Sequence, residues 1–380
     1  PFRSKMSKAQ ILNLKHSKHQ ILAEIAALYT VTVDAENDAN WNSDWDIWWM
    51  DSPNSLNRLS MKTLKPNQQT NHFIATTEIG IKSHLARNLN RMAQLFPEEY
   101  NFHPRSFVLP KEAKKLKDYF ATLDERPDSS TMIVKPFNYC EGRGIFVEDW
   151  KNLQRELLSP SNSNSGAFSR ENWMNSNCVV QEYIPNPLLI DGYKFDIRLY
   201  VVITSIDPLK IFLHKDGLVR LATEKYETPS QSNHDNVCMH LTNYTVNKTS
   251  DHFASSAEQG SKRTFSWLIE YVRQHHGHEA TEKLLDDITA IVAKTVIAVQ
   301  PTISALTKAC FPPQCTNPAF ELLGFDILVD SNLKPWLEEV NQSPSLTTDT
   351  PVDISVKRQM LMDTFRLLNI GKLPASVPEN

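Results

Sequence analysis

The chain has 380 residues, 41% hydrophobic and 22% charged, with a formal net charge of −4, a composition that fits a folded globular protein of one large domain or two or three packed subdomains and argues against a generally basic nucleic-acid binder. No uninterrupted run approaches the roughly 20 apolar residues of a membrane span, and no signal-peptide pattern follows Pro1. The five cysteines are scattered and form no C-x-x-C pair, so neither a zinc site nor a disulfide framework is indicated and a reduced intracellular compartment is expected.

Apolar positions at helical spacing (Ile11, Leu14, Ile21, Ile25, Leu28) predict a helix over residues 11–30. The Trp-rich run Trp41 to Trp49 predicts a strand whose aromatic side chains fill core space. Ile79, Ile81, Leu85, Leu89, Met92 and Leu95 predict a helix over Glu78 to Phe96, closed by Pro97. Short strands are expected at Thr131–Pro136 and Gly144–Val147, followed by a polar surface loop over 157–172. Strands follow at Val179–Ile184 and Phe195–Ile203; Leu209–Leu213 and Leu218–Leu221 flank Lys215-Asp216-Gly217, a hairpin signal. Polar loops cover about 226–237 and 247–262. Helices fill 263–275 and 280–307; the apolar stretch Ile288 to Leu306 reads as a buried helix. Two strands, Leu322–Val329 and Pro335–Val340, and a final helix at 354–368 complete an α+β pattern with an antiparallel sheet, helices on its faces and no internal repeat.

Glu339 and Asn341 are two residues apart, so a strand turns both to one face, and a hairpin would bring Asp326 within reach. Two carboxylates and an amide oxygen are hard ligands suited to Mg²⁺; a solvated polar edge strand is the alternative. Lys135 ends an apolar strand just before the loop Gly142-Arg143-Gly144, whose glycines could let the backbone close over phosphates. Lys194, Asp196 and Arg198 share one face of an otherwise apolar strand, either as a solvated ladder or as the lining of a polar cleft. Arg220 reads equally as an exposed strand arginine, and Thr242 and Asn243 either donate to a carboxylate or cap a turn.

Taken together and in order, the blocks Glu78–Lys82 with Leu85–Asn88, Ile133–Pro136 with Gly142–Ile145, Val180–Ile184, Asp191–Arg198, His240–Tyr244, Leu323–Ile327 and Lys334–Asn341 resemble the tubulin tyrosine ligase-like family of ATP-grasp ligases, most closely its glutamylase branch. The resemblance implies an ATP-grasp fold with nucleotide bound between subdomains, divided as 1–130, 131–185 and 186–380. It implies ATP and Mg²⁺, with Lys82 and Lys135 on the phosphates under the loop of Gly142, Arg143 and Gly144. Gln181, Glu182, Tyr183 and Ile184 would form the adenine hinge, with Gln181 meeting the base, and Lys194 and Asp196 would add nucleotide contacts. Asp326, Glu339 and Asn341 would ligate magnesium. Arg198 and Arg220 would stabilise transferred phosphate and bind the incoming amino acid, with Thr242 and Asn243 beside them.

The implied activity is addition of glutamate to acidic tails of tubulin or microtubules through an acyl phosphate, by a monomer in the cytoplasm, cytoskeleton, cilium or flagellum, with neither nucleic acid nor membrane as partner. Lys82, Arg87, Arg91, Lys194, Arg198, Arg220, Lys262 and Arg263 could supply a basic groove. The sequence departs from the family pattern at three places. Gln342 stands where some glutamylases carry histidine, near the amino-acid and acceptor pocket. The loop Phe137 to Glu141 is bulkier and more acidic than usual. Glu338 replaces a typical leucine and, by simple alternation, faces away from the site. Glycylation, a non-tubulin acidic acceptor and an inactive microtubule-binding module are the alternatives.

Overall fold

The computed structural model describes residues 10–36, 44–53, 56, 60–123, 131–137, 139, 142–158, 168–170, 172–248 and 261–372. Three sheets organise them. The first joins β1 (Ile11–His16), β2 (Thr32–Asp34), β3 (Ile47–Met50) and β4 (Gln69–Thr70) in the order β2-β1-β3-β4. All its pairings are parallel, a departure from the antiparallel expectation. The single helix expected over 11–30 is instead β1 followed by α1 (Gln20–Leu28). β1 buries Leu12 and Leu14 between two strands, so tertiary pairing overrides the weak helical spacing. Trp45, Trp48 and Trp49 are core side chains as read; Trp41 lies outside the described residues.

The helix expected from Glu78 is broken: α2 (Thr77–Gly80) stops at Ile81, whose backbone is extended (φ −91°, ψ 124°), and α3 (Lys82–Leu95) starts anew. Gly80 is a poor helix former, and the break brings Lys82 to the first turn of α3.

The second sheet joins β5 (Ser106–Leu109), β6 (Thr131–Pro136), β7 (Phe146–Asp149) and β8 (Cys178–Glu182) in the antiparallel order β5-β8-β6-β7. It therefore takes one strand from before residue 131. α4 (Ala113–Leu123) and α5 (Trp150–Leu158) cover its outer face through Leu116, Phe120, Trp150 and Leu153. Most of the polar loop expected at 157–172, and most of that at 247–262, lies outside the described residues.

The main sheet is antiparallel and contains β9 (Leu189–Ile190), β10 (Tyr193–Ile206), β11 (Leu209–Lys225), β12 (Lys262–Thr264), β13 (Glu321–Val329) and β14 (Pro335–Asn341). The hairpin expected at Lys215-Asp216-Gly217 is a bulge within the continuous strand β11, between the Leu199–Gly217 and Val201–Leu213 pairs; the turn is at Asp207–Pro208. Short helices α6 (Val237–His240) and α7 (Tyr244–Asn247) precede α8 (Phe265–His276) and α9 (His278–Cys310), and α10 (Pro351–Leu367) follows the sheet.

Alternation on β10 sets the layers. Ile197, Leu199, Val201 and Ile203 face a core shared with α8 and α9, whereas Tyr200 and Val202 face a second core shared with α1 and α10. α9 is long and apolar enough by composition to cross a membrane, but half of its most apolar window is buried inside this protein; Leu284, Ile288, Ile291, Val292 and Val296 belong to the main core, as read for a buried helix. On the α10 face, the residues preceding Tyr200 are Arg198, Asp196 and Lys194. That face thus changes from apolar to charged at Arg198, and the charged end borders the second sheet.

Candidate active site

The register explains how distant sequence blocks meet. Asp196 pairs directly with Arg220 across β10 and β11, Arg198 with Asp326 across β10 and β13, and Asp326 with Glu339 across β13 and β14. One charged band therefore crosses four strands. Arg220 Nε donates to Asp196 Oδ1 (2.7 Å), and its Nη2 also reaches Asp326 Oδ2 (2.9 Å). Arg198 Nη2 donates to the same Asp326 oxygen (2.8 Å), and its Nε to the other. Asp196 and Asp326 are each only 2% exposed. Burial alone would raise the Asp326 carboxyl, but Arg198 and Arg220 outweigh it and hold it well below the ordinary carboxylate range. Arg220, which the sequence left as a possible exposed strand residue, is buried and forks onto two aspartates. Gly324 makes room for this packing, since a Cβ there would lie 2.9 Å from Pro344 and 3.0 Å from Arg198 Cδ.

At the edge of the band, Asn341 Nδ2 lies 3.3 Å from Glu339 Oε1 and 3.4 Å from Asp326 Oδ2, while Lys82 Nζ lies 3.3 Å from Glu339 Oε2. Among the described residues no group of three His, Cys, Asp or Glu side chains could hold a metal ion. The expected set is of another kind, two carboxylates and an amide. These do converge, and turning the Asn341 amide over would present a third oxygen. On that convergence the donor set fits a magnesium ion that completes its shell with water and phosphate.

These residues line two adjoining cavities. The first, about 430 Å³, lies between the second sheet and the main sheet. Lys82, Lys135, Lys194, Gly142, Thr242 and Asn243 line it, as do Asp196, the run Gln181 to Ile184 and Asp326, Glu339 and Asn341. Arg143 and Gly144 are exposed and line neither cavity. The second cavity, about 610 Å³, is lined by Arg198, Arg220 and Lys262, with Lys18, Lys248 and Lys357. The two share Asp51, Asn243, Glu339, Asn341, Gln342 and Ser343. Of the remaining groove candidates, Arg87 pairs with Glu78 and Arg263 lies over the Trp267 ring.

Each lysine of the first cavity is held by a neutral oxygen or a carboxylate. Lys135 Nζ donates to Gln181 Oε1 (2.7 Å) and Lys194 Nζ to the His240 carbonyl (2.8 Å) and Tyr183 Oη (3.2 Å). Burial lowers the Lys135 amine, and Glu338 and Glu339 oppose that shift. The second amide end of Gln181 is also engaged, Nε2 donating to Ser106 Oγ (2.8 Å).

Glu338 does not face away. Asp326 pairs with Glu339 whereas Ile327 pairs with Leu337, so Glu338 is the extra residue of a β-bulge and shares the cleft face with Glu339. Burial raises its carboxyl, against the pull of Lys194 and Lys135. Sequence alternation missed this residue; the available signal was the doubled acid Glu338-Glu339 within an apolar strand. His240 was also missed as a site side chain. It is 1% exposed, with Nδ1 3.0 Å from Tyr183 Oη and Nε2 3.0 Å from the Asn233 carbonyl.

Burial lowers His103 and His240 to about 4 each, with Lys194 adding to the effect at His240. An unfolded histidine titrates near 6.5, so the unfolded chain binds more protons between pH 6.5 and 4. Their contribution is complete above pH 6.5 and is lost as pH falls towards 4. Thermal midpoints should therefore drop across that window, and replacing both histidines by glutamine should flatten the drop.

The sequence matches the tubulin-tyrosine ligase family over residues 59–377. The chain belongs to the tubulin-tyrosine ligase family. It is 38% identical over 370 residues to tubulin polyglutamylase TTLL6 of Mus musculus, covering 97% of this chain and 41% of that protein. It is 39% identical over 371 residues to tubulin polyglutamylase TTLL13 of Homo sapiens, covering 97% and 42% respectively. A probable beta-tubulin polyglutamylase of Tetrahymena thermophila is 40% identical over 334 residues, 86% of this chain and 26% of that protein. The chain thus spans about two-fifths of the length of the first two of these relatives.

Proposed function

We propose that this family member is an ATP- and magnesium-dependent ligase that adds glutamate to glutamate side chains, or to growing glutamate chains, on acidic tubulin tails. The observation that carries the reading is the junction of the two cavities. A lysine-lined cleft sized for a nucleotide meets an arginine- and lysine-lined chamber at Glu339, Asn341 and Gln342. The names of the relatives, all polyglutamylases of tubulin, support the same substrate class.

In this reading Lys82, Lys135 and Lys194 neutralise and orient the phosphates of ATP, which is a substrate. Hydrophobic groups beside the hinge, Ile133, Ile184 and Leu328, flank the base. Bound magnesium would supply positive charge beside the transferring phosphate, held by Asp326, Glu339 and Asn341. The tail carboxylate oxygen attacks the γ-phosphorus and ADP leaves, giving an acyl phosphate. The amine nitrogen of the incoming amino acid then attacks the acyl carbon, inorganic phosphate leaves and the nitrogen loses a proton. Arg198 and Arg220 bind the charge that develops, and their forks are already fixed by Asp196 and Asp326, so little reorganisation is needed. Gln342 sits at the junction with its Oε1 buried and, among the described residues, without a hydrogen-bond partner, packed so tightly on Gly80 that a Cβ there would lie 2.6 Å away. The other end of the amide, its NH2 group, can donate to a carboxylate of the incoming amino acid. We read the protein as a monomer acting in the cytoplasm on the cytoskeleton, a cilium or a flagellum.

The test is parallel transfer of labelled glutamate, glycine and tyrosine onto tubulin with ATP and magnesium. Incorporation of glutamate alone is expected. Glycine incorporation would move the chain to the glycylase reading, and tight ATP binding without any incorporation would point to another acceptor or a missing partner.

A further inference from the structure

The geometry points to Ser106 and His103 as positioning residues for ATP binding, acting through Gln181 on Lys135. This assignment rests on the reading of the first cavity as the nucleotide site. Lys135 is 9% exposed, yet among the described residues no carboxylate bonds its ammonium; the contact is the neutral Gln181 Oε1 at 2.7 Å. A glutamine amide can face such a cation either way round, and only the oxygen end attracts it. What fixes the choice is the other end. Gln181 Nε2 donates to Ser106 Oγ at 2.8 Å, on the neighbouring strand β5, directly opposite in register.

The chain of contacts continues. Ser106 Oγ lies 3.1 Å from His103 Nε2, and His103 Nδ1 lies 3.4 Å from the Leu337 carbonyl. With His103 neutral and its proton on Nδ1, every link runs donor to acceptor in one direction: Lys135, Gln181, Ser106, His103, Leu337. The Pro104 carbonyl, 2.7 Å from Ser106 Oγ, shares the hydroxyl proton. Such chains reinforce one another in a low-dielectric interior. Gln181 and Ser106 are 4% and 2% exposed, so water cannot replace a lost partner freely. Burial keeps the imidazole neutral at physiological pH, as the relay requires.

The far end matters as much as the near one. Leu337 N also donates to the Phe102 carbonyl (2.9 Å), so residues 102–103 hold both polar groups of Leu337. Leu337 immediately precedes the bulge that turns Glu338 and Glu339 into the cleft. One short segment, 102–106, therefore ties the phosphate lysine of the second sheet to the acid strand of the main sheet. A relay of this kind would set the distance between the lysine and the acids before nucleotide arrives.

The experiment is isothermal titration of ATP with magnesium into the unaltered chain, Ser106→Ala and Ser106→Thr, beside kcat and KM for ATP in the transfer assay. Ser106→Ala should weaken ATP binding roughly tenfold, the effect of freeing one buried amide. KM for ATP should rise more than kcat falls, and Ser106→Thr, which keeps the hydroxyl, should restore affinity to within about twofold. Unchanged affinity in Ser106→Ala, or equal impairment of Ala and Thr variants that both melt normally, would overturn the assignment alone. Absence of ATP binding by the unaltered chain would overturn the nucleotide reading and this assignment with it. Should Ser106→Ala fail to fold, His103→Phe carries the test: it ends the relay at the serine without opening a cavity. About threefold weaker ATP binding is then expected, and unchanged affinity would overturn the proposal.

Discussion

Glu339→Gln should reduce glutamate transfer at least roughly a hundredfold, with its circular dichroism spectrum and thermal midpoint close to those of the unaltered chain. Glutamine has nearly the same volume; its one amide oxygen can keep the contact to Lys82, while the Asn341 amide, turned over, accepts from the new nitrogen, both contacts being 3.3 Å in the unaltered chain. The substitution removes one negative charge from a set of two carboxylates and an amide. A magnesium ion held there loses a share of its electrostatic hold at the point where phosphate charge is transferred. Labelled-glutamate transfer measured over a magnesium titration checks this. Full activity in a folded Glu339→Gln protein at ordinary magnesium would sink the metal assignment.

Arg220→Ala should lower unfolding free energy by about 3–5 kcal/mol, read from urea midpoints. The reason is what remains, two aspartates that are each 2% exposed, Asp196 among them having lost the arginine that forks onto it. Asp326 keeps Arg198, but Asp196 has no second arginine among its described partners. Arg220→Lys should recover only part of the loss, because an ammonium cannot bridge Asp196 and Asp326 with a rigid fork. In whatever fraction folds, the amino-acid requirement should rise more than the ATP requirement, since Arg220 lines the second cavity and not the first. A loss below about 1 kcal/mol would place Arg220 in the class of weakly contributing surface pairs.

Much of the site could be read before any tertiary contact was known. The period-2 alternation of Lys194, Asp196 and Arg198 put three charges on one strand face, and the structure keeps them there, lining the cleft and the chamber beside it. The spacing of Glu339 and Asn341, with Asp326 one hairpin away, likewise holds, because the turn at Asp330 to Asn332 brings β13 and β14 into direct register at Asp326 and Glu339. Family membership and most strand assignments from Val179 onward follow from the same local patterns.

The failures share one cause. Residues 11–16 carry a spacing compatible with a helix, and only the flanking strands β2 and β3 make them a strand. Lys215-Asp216-Gly217 has the composition of a hairpin turn, yet β10 continues past it and the segment becomes a bulge. Alternation sent Glu338 away from the site, and a second bulge brought it back.

The sequence by itself determined the periodic faces, the ordered motifs and therefore the family, because each depends on residues a few positions apart. The tertiary structure alone decided that Arg220 grips two buried aspartates, that Gln181 spends both amide ends on Lys135 and Ser106, and that Glu338 enters the cleft. Those outcomes depend on cross-strand register and on bulges. A one-residue slip there exchanges the two faces of a strand, and what fixes the register is pairing and packing between separate strands, such as β10 with β13, and not between residues a few positions apart.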